Sequence, residues 1–121
     1  MRAKVFIPQE PTRRDDATGE LVSIMNFSSA AAYGETVVCL APGRVALSPQ
    51  PTIQKLKDCM RNFGDDDYLI AVGDPSVIAM AAAVAADANR GRFKLLKYDG
   101  RSKDYLTVQI DLHQRLAKAD D

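Results

Sequence analysis

At 121 residues the chain has room for one hydrophobic core, and the reading is a single domain over residues 1–121. Its 16 basic and 16 acidic side chains cancel, which argues against a surface built as a whole for nucleic acid or anionic lipid. Two cysteines and one histidine, with no close Cys pair, argue against a structural zinc site, and no metal or cofactor is expected.

Arg2 and Lys4 are not followed by an apolar stretch, so no secretory signal is read and the expected location is the cytoplasm. Residues 3–7 predict a first strand that ends at Pro8. Residues 9–20 contain Pro11, Gly19, two arginines and four acids, and predict a mobile loop whose Arg13-Arg14 pair orders on binding. Residues 21–25 suit a short extended piece. Residues 28–33 suit a helical turn, with Ser28 as cap and Gly34 as stop.

Thr36-Val37-Val38-Cys39-Leu40 is β-branched and apolar, the composition of a buried strand. Ala41-Pro42-Gly43 marks a turn, after which residues 44–47 either pair back as a hairpin or run on toward the next helix. That helix opens at Ser48-Pro49. Ile53, Leu56, Met60 and Phe63 recur at spacings of three and four, giving one apolar stripe that Gly64 ends. Cys39 in the strand and Cys59 in the helix read as two reduced, buried thiols.

Residues 67–98 carry the clearest signal. Tyr68-Leu69-Ile70-Ala71-Val72 is too short for a helix and reads as a buried strand. Asp74 caps the orphan amides of a helix, and Pro75 suits its first position, where a missing N–H goes unused. Residues 76–89 are almost all Ala, Val, Ile and Met, and Gly91 stops them. The longest apolar run, residues 77–86, is too short for a bilayer span, so this helix packs in protein. Residues 92–98 and 105–112 then flank a polar, Gly-containing loop, which predicts an antiparallel hairpin. Residues 113–121 are polar and expected to fray. The fold class is therefore α/β, with a small mixed sheet that is mainly parallel at its core, a C-terminal antiparallel hairpin and two main helices.

Three segments are candidates for function. The Gly73-Asp74-Pro75-Ser76-Val77 turn places free helix amides where phosphates bind in open α/β sheets, so nucleotide or phosphate binding is one reading of Gly73, Asp74, Ser76 and Val77. The turn lacks the glycines of the dinucleotide fingerprint and the lysine of a phosphate loop, and Asp74 brings a negative charge, so helix capping accounts for it as well. Asp65-Asp66-Asp67 resembles a magnesium ligand set in composition, but adjacent side chains point different ways, which favours a solvated loop.

The third is basic. Arg90, Arg92, Lys94, Lys97, Arg101 and Lys103 fall in one stretch with a single acid, Asp99. Strand alternation puts Phe93, Leu95, Leu106, Val108 and Ile110 on a core face. Arg92, Lys94, Leu96 and Tyr98 then lie on the outer face beside Tyr105, Thr107 and Gln109. Arg92, Lys94, Tyr98, Arg101, Lys103 and Tyr105 are the residues expected to meet a partner, either a protein or single-stranded nucleic acid whose bases stack on the rings. Lysines on an edge hairpin also block aggregation without any partner. No catalytic constellation is visible: His113 is alone, Cys39 sits in an apolar strand, and no Gly-x-Ser-x-Gly elbow exists. The expectation is a non-enzymatic protein.

Phe6-Ile7-Pro8-Gln9-Glu10-Pro11, Thr18-Gly19-Glu20-Leu21, Pro42-Gly43-Arg44-Val45 and the stretch from Tyr68 through Gly73-Asp74-Pro75 resemble small uncharacterised proteins of tailed bacteriophages. The resemblance covers most of the chain and brings no established activity or catalytic residue. It implies a protein made inside an infected bacterial cell that modulates host or phage machinery. Together these readings point to an accessory protein that binds a protein partner, host or phage, in the bacterial cytoplasm. Nucleic acid is the alternative partner, no membrane is engaged, and an edge strand able to pair with a copy of itself makes a homo-oligomer a further reading.

Overall fold

A computed structural model describes residues 3–10, 12–23, 28–41 and 49–116. Among the described residues the main sheet has five strands: β1 (Lys4–Gln9), β4 (Glu35–Leu40), β5 (Tyr68–Ile70), β6 (Arg92–Asp99) and β7 (Asp104–Asp111), in the order β4-β1-β5-β6-β7. β4, β1, β5 and β6 run parallel, and β7 closes the sheet antiparallel to β6. Two helices, α1 (Pro49–Cys59) and α2 (Pro75–Ala88), cross over between parallel strands. The chain is thus α/β, with a parallel core and a C-terminal antiparallel hairpin. β2 (Thr12–Arg14) and β3 (Leu21–Ser23) form a separate two-stranded ribbon.

Strand alternation divides the core in two. Phe6, Leu69 and Phe93 face α1 and α2, where they meet Leu56, Met60, Phe63, Val77, Ala81 and Ala85. Phe6 and Phe63 stack with ring centroids 5.7 Å apart. The alanines of α2 let its backbone lie close against β1, β5 and β6, whereas α1 covers β4 and leans on α2. The opposite face, with Val5, Ile7, Ile70 and Leu96, is covered by a short 3-10 helix (Ser28–Ala32) through Ala30 and Tyr33. Gly34 lets the chain leave that helix: a Cβ here would run into the Ala3 carbonyl, which accepts the Glu35 N–H at 3.0 Å and starts the β1–β4 ladder.

Four expectations are corrected. β4 is not a buried strand: it is an outermost strand of the described sheet, Val38 is 47% exposed, and of its residues only Leu40 is buried. β1 does not end at Pro8 but continues to Gln9. Its pairing with β5 stops at Phe6, so the missing N–H of Pro8 lies past the last rung on that side. Residues 9–20 are not a loop throughout: they hold β2 and a hydrogen-bonded turn. Gly19 N–H donates to the Asp15 carbonyl at 2.7 Å, and the Asp15 carboxylate accepts from Ala17 N and Thr18 Oγ1, both at 3.1 Å. Cys39 and Cys59 are not separate thiols. They are bonded, with Cα atoms 5.6 Å apart, because the helix that follows β4 folds back over it and brings its last turn above the strand. Residues 44–47, where a hairpin strand is one reading of the sequence, lie outside the described residues, as do 24–27 and 117–121.

Candidate interaction face

The hairpin pairs Tyr98 with Tyr105, Leu96 with Thr107, Lys94 with Gln109 and Arg92 with Asp111, all on the face opposite the helices. The Tyr98 and Tyr105 rings meet edge-on, 5.5 Å between centroids. Tyr105 in turn meets Tyr33 at 6.5 Å, and Tyr33 meets Tyr68 at 5.4 Å, again edge-on. Lys94 Nζ sits 4.1 Å from the centroid of Tyr68. All four tyrosines of the chain therefore form one line of ring contacts, ending in a lysine.

Tyr98 is 45% exposed and Tyr105 only 4%. Tyr105, expected on the surface, is thus the buried centre of the line, with Leu96 beneath it fully buried as well. The reason is the 3-10 helix, which lays Tyr33 over this face and donates the Tyr33 hydroxyl to the Tyr105 carbonyl at 3.2 Å. The Tyr105 hydroxyl is buried with no partner among the described residues. Burial foremost, then Tyr98 and the Asp104 charge, push its pKa above the usual phenol value.

The basic candidates separate. Arg92 lies at the far end of β6, where its guanidinium pairs with the Asp65 carboxylate at 3.3 Å. Asn89 donates to the same carboxylate at 2.8 Å, and this bond, followed by Arg92, holds Asp65 below the usual carboxylate range. Arg92 and Lys94 border an open cleft of about 360 Å³ whose walls also carry Asp65 and Asp111, so its charge is mixed. Arg101 and Lys103 occupy the hairpin turn beyond Tyr98. Asp99 organises that turn by accepting the Ser102 hydroxyl at 2.9 Å and the Ser102 and Arg101 amides, which lower its pKa. Lys103 closes the turn with a left-handed φ of 55°. The structure thus brings Lys94, Tyr98 and Tyr105 together, adds Tyr33 and Tyr68, and leaves Arg92 at one end and the turn cations at the other.

The Gly73–Val77 turn forms as a helix cap. Asp74 accepts the Ser76 N–H at 2.8 Å and the Ser76 hydroxyl at 2.6 Å, the latter bond being the main cause of its lowered pKa. The carboxylate sits where a bound phosphate would, so the turn's anion is the chain's own. Gly73, at φ 109°, lies against the Gln9 carbonyl at the carboxyl end of the sheet. The larger cleft, about 610 Å³, lies at the other end, beside Lys4, Phe6, Arg61 and Asp65 to Asp67. There Asp67 accepts the Lys4 and Gly64 amides, both at 2.9 Å, while Asp65 turns away to Asn89 and Arg92. The neighbouring aspartates thus point to different partners.

A family model described as Phage Pam3 gp32-like protein matches residues 3–112, from the start of β1 to just past the end of β7. The chain belongs to the phage Pam3 gp32-like protein family. The match takes in the tyrosine line whole, from Tyr33 to Tyr105. Comparison with curated proteins and with solved structures returns no match. Among the described residues no helix is long and apolar enough to cross a membrane.

Sequence alternation alone places Tyr98 and Tyr105 on one face. The signal for Tyr68 is its parity in β5, one residue from the core-facing Leu69. Nothing in the local sequence marks Tyr33, whose contact with Tyr105 spans 72 residues.

Proposed function

We propose that this phage-family protein is a non-enzymatic accessory protein that acts in the cytoplasm of the infected bacterium by binding a protein partner through its tyrosine face. The observation that carries this reading is Tyr98, an exposed ring held edge-on by the buried Tyr105. An aromatic side chain already fixed by its neighbours loses little entropy on binding, which is the property of an interface anchor. Lys94 and Tyr68 extend the same surface with an apolar ring and a half-buried cation.

The charge balance favours a protein over nucleic acid. Five basic residues between Arg92 and Asp111 are offset by three aspartates, Asp99, Asp104 and Asp111. Arg92 is further tied to Asp65. What favours the nucleic-acid reading is Tyr98 beside the turn cations Arg101 and Lys103, an arrangement that suits one stacked base and its phosphate.

Affinity capture from phage-infected bacteria, split into nuclease-treated and untreated halves, separates the two. A protein retained by the wild type after nuclease, and lost with Tyr98→Ala, supports the protein reading. Retention that vanishes with nuclease, together with single-stranded DNA binding that weakens steeply with salt, replaces it with the nucleic-acid one.

A further inference from the structure

Among the described residues the outer edge of β7 is the longest open strand edge of the main sheet, and its backbone alternation can be read from two hydrogen bonds. Leu112 N–H donates to the Gly91 carbonyl at 2.9 Å, extending the β6–β7 ladder by one rung beyond Arg92 and Asp111. In an antiparallel ladder this makes Asp104, Leu106, Val108, Ile110 and Leu112 the residues whose backbone groups turn inward to β6. Tyr105, Thr107, Gln109 and Asp111 turn theirs to the open edge. A bond on the far side of β6 agrees: the carbonyl of Leu96, opposite Thr107, accepts from Ala71 at 3.0 Å on the β5 side.

One end of this edge is capped. Tyr105 N–H donates to the Asp104 carboxylate at 2.7 Å, and its carbonyl takes the Tyr33 hydroxyl. Among the described residues nothing caps the outward amides and carbonyls of Thr107, Gln109 and Asp111. Beside them, on the helix-side face, Leu106 and Val108, expected in the core, are instead 51% and 41% exposed, because the helices pack on β1, β4, β5 and β6, and Leu112 is 65% exposed. An uncovered apolar edge of this kind pairs with another strand unless it is blocked, and the described residues block only its first residue.

We propose that the occupant is a second copy of this chain, whose β7 pairs antiparallel with β7 about a two-fold axis through Gln109. The axis stands perpendicular to the sheet, so residues facing each other must lie on the same face, and only every second register is allowed. Centred on Gln109, Thr107 meets the partner copy's Asp111 and Gln109 meets its own counterpart, so the uncapped groups pair with one another. On the helix side Val108 meets Ile110 and Leu106 meets Leu112, apolar against apolar from residue 106 to residue 112. Asp104 faces Gln114 and Tyr105 faces His113, so no like charges oppose within the paired strands. A register centred on Val108 would set Asp104 against Leu112, one centred on Thr107 would set it against Ile110, and both require Tyr105 to give up its caps. Centring on Ile110 would leave Leu106 facing Gln114. The chain's zero formal net charge leaves no general repulsion between copies. The interface supplies about six backbone hydrogen bonds, two for each of three pairs. Both tyrosine faces then lie on one side of a continuous sheet.

The test uses the full chain. Sedimentation at concentrations up to about 100 µM is expected to give twice the 13.2 kDa chain mass. Gln109→Pro deletes an outward N–H and leaves the β6 ladder intact, so it is expected to sediment as a folded monomer with unchanged circular dichroism. Gln109→Cys places two thiols across the axis at a Cα separation of about 5.5 Å, within disulfide range, and oxidation is expected to give a covalent dimer joined through position 109 by peptide mapping. Thr107→Cys, whose copies would lie about 13 Å apart along the strands, is expected not to cross-link. A wild type that stays monomeric, a dimer that survives in folded Gln109→Pro, or cross-linking at position 107 in place of 109 overturns the proposal. Should Gln109→Pro fail to fold, the cysteine pair decides alone.

Discussion

Two tyrosines in one cluster are expected to respond in opposite directions to the loss of a hydroxyl. Tyr105 is 4% exposed and its hydroxyl has no partner among the described residues, whereas Tyr33 donates its hydroxyl to the Tyr105 carbonyl at 3.2 Å. Burying a hydroxyl without a partner costs about 1–3 kcal/mol. Tyr105→Phe keeps the ring between Tyr33 and Tyr98 and is expected to stabilise the fold by about 1 kcal/mol, the low end because a small void remains. With an unfolding entropy of about 2.1 cal/mol/K per residue over 121 residues, or about 0.25 kcal/mol/K, Tm rises by about 4 °C. Tyr33→Phe removes a made bond and is expected to lower Tm by a similar amount. The ionisation of Tyr105 supplies a second readout. Its folded pKa lies above 10.0, so as pH rises past that value the unfolded chain releases the proton first, and wild-type stability falls. Tyr105→Phe is expected to lose that part of the alkaline decline. Thermal melts by circular dichroism at neutral pH and above pH 10 measure both effects. A Tyr105→Phe variant less stable than wild type at neutral pH would show that the hydroxyl is bonded and refute the reasoning.

Reducing the Cys39–Cys59 bond, or replacing both residues by Ser, is expected to cost about 3 kcal/mol through the freed 20-residue loop, seen as a drop in Tm of about 12 °C; an unchanged melt in reductant contradicts it. Gly34→Ala forces a Cβ into the Ala3 carbonyl and is expected to destabilise by about 2 kcal/mol in urea melts; a cost within about 0.5 kcal/mol would mean the β1–β4 start yields easily. Asp65, Asp74 and Asp99 have pKa values held below 3.8, so their contribution is complete above that pH and is lost as pH falls through the folded values. Asp74→Asn is expected to make urea midpoints less sensitive to acid below 3.8, and an unaltered slope argues against the Ser76 cap.

How far the fold could be read locally depends on how far apart its contacts lie. The β5–α2–β6 crossover was legible because each of its decisions is made within a few residues: Asp74 caps and Pro75 starts the helix, although the left-handed stop falls on Arg90 (φ 57°) after the Asn89 cap, one residue before Gly91, whose N–H closes the cap on the Ala86 carbonyl. The hairpin was legible for the same reason, through the alternation from Phe93 to Ile110 around an Asp99-organised turn. Pro8 misled because its effect depends on where β5 stops pairing, which no feature of β1 reveals. The Cys39–Cys59 bond depends on how α1 returns over β4. The outer face was half legible: alternation placed Lys94 and Tyr98 correctly, but the burial of Tyr105 and Leu96 follows from Tyr33 and Ala30, which arrive from a 3-10 helix far back in the chain.

The most direct test of the interaction face is site-specific photo-cross-linking in phage-infected bacteria, with a photoreactive phenylalanine analogue in place of Tyr98 and, as control, in place of Lys57 on the exposed side of α1. A protein adduct at position 98 that resists nuclease and is absent at position 57 is the expected result. No adduct at position 98, or one that nuclease removes, would contradict a protein partner on the tyrosine face.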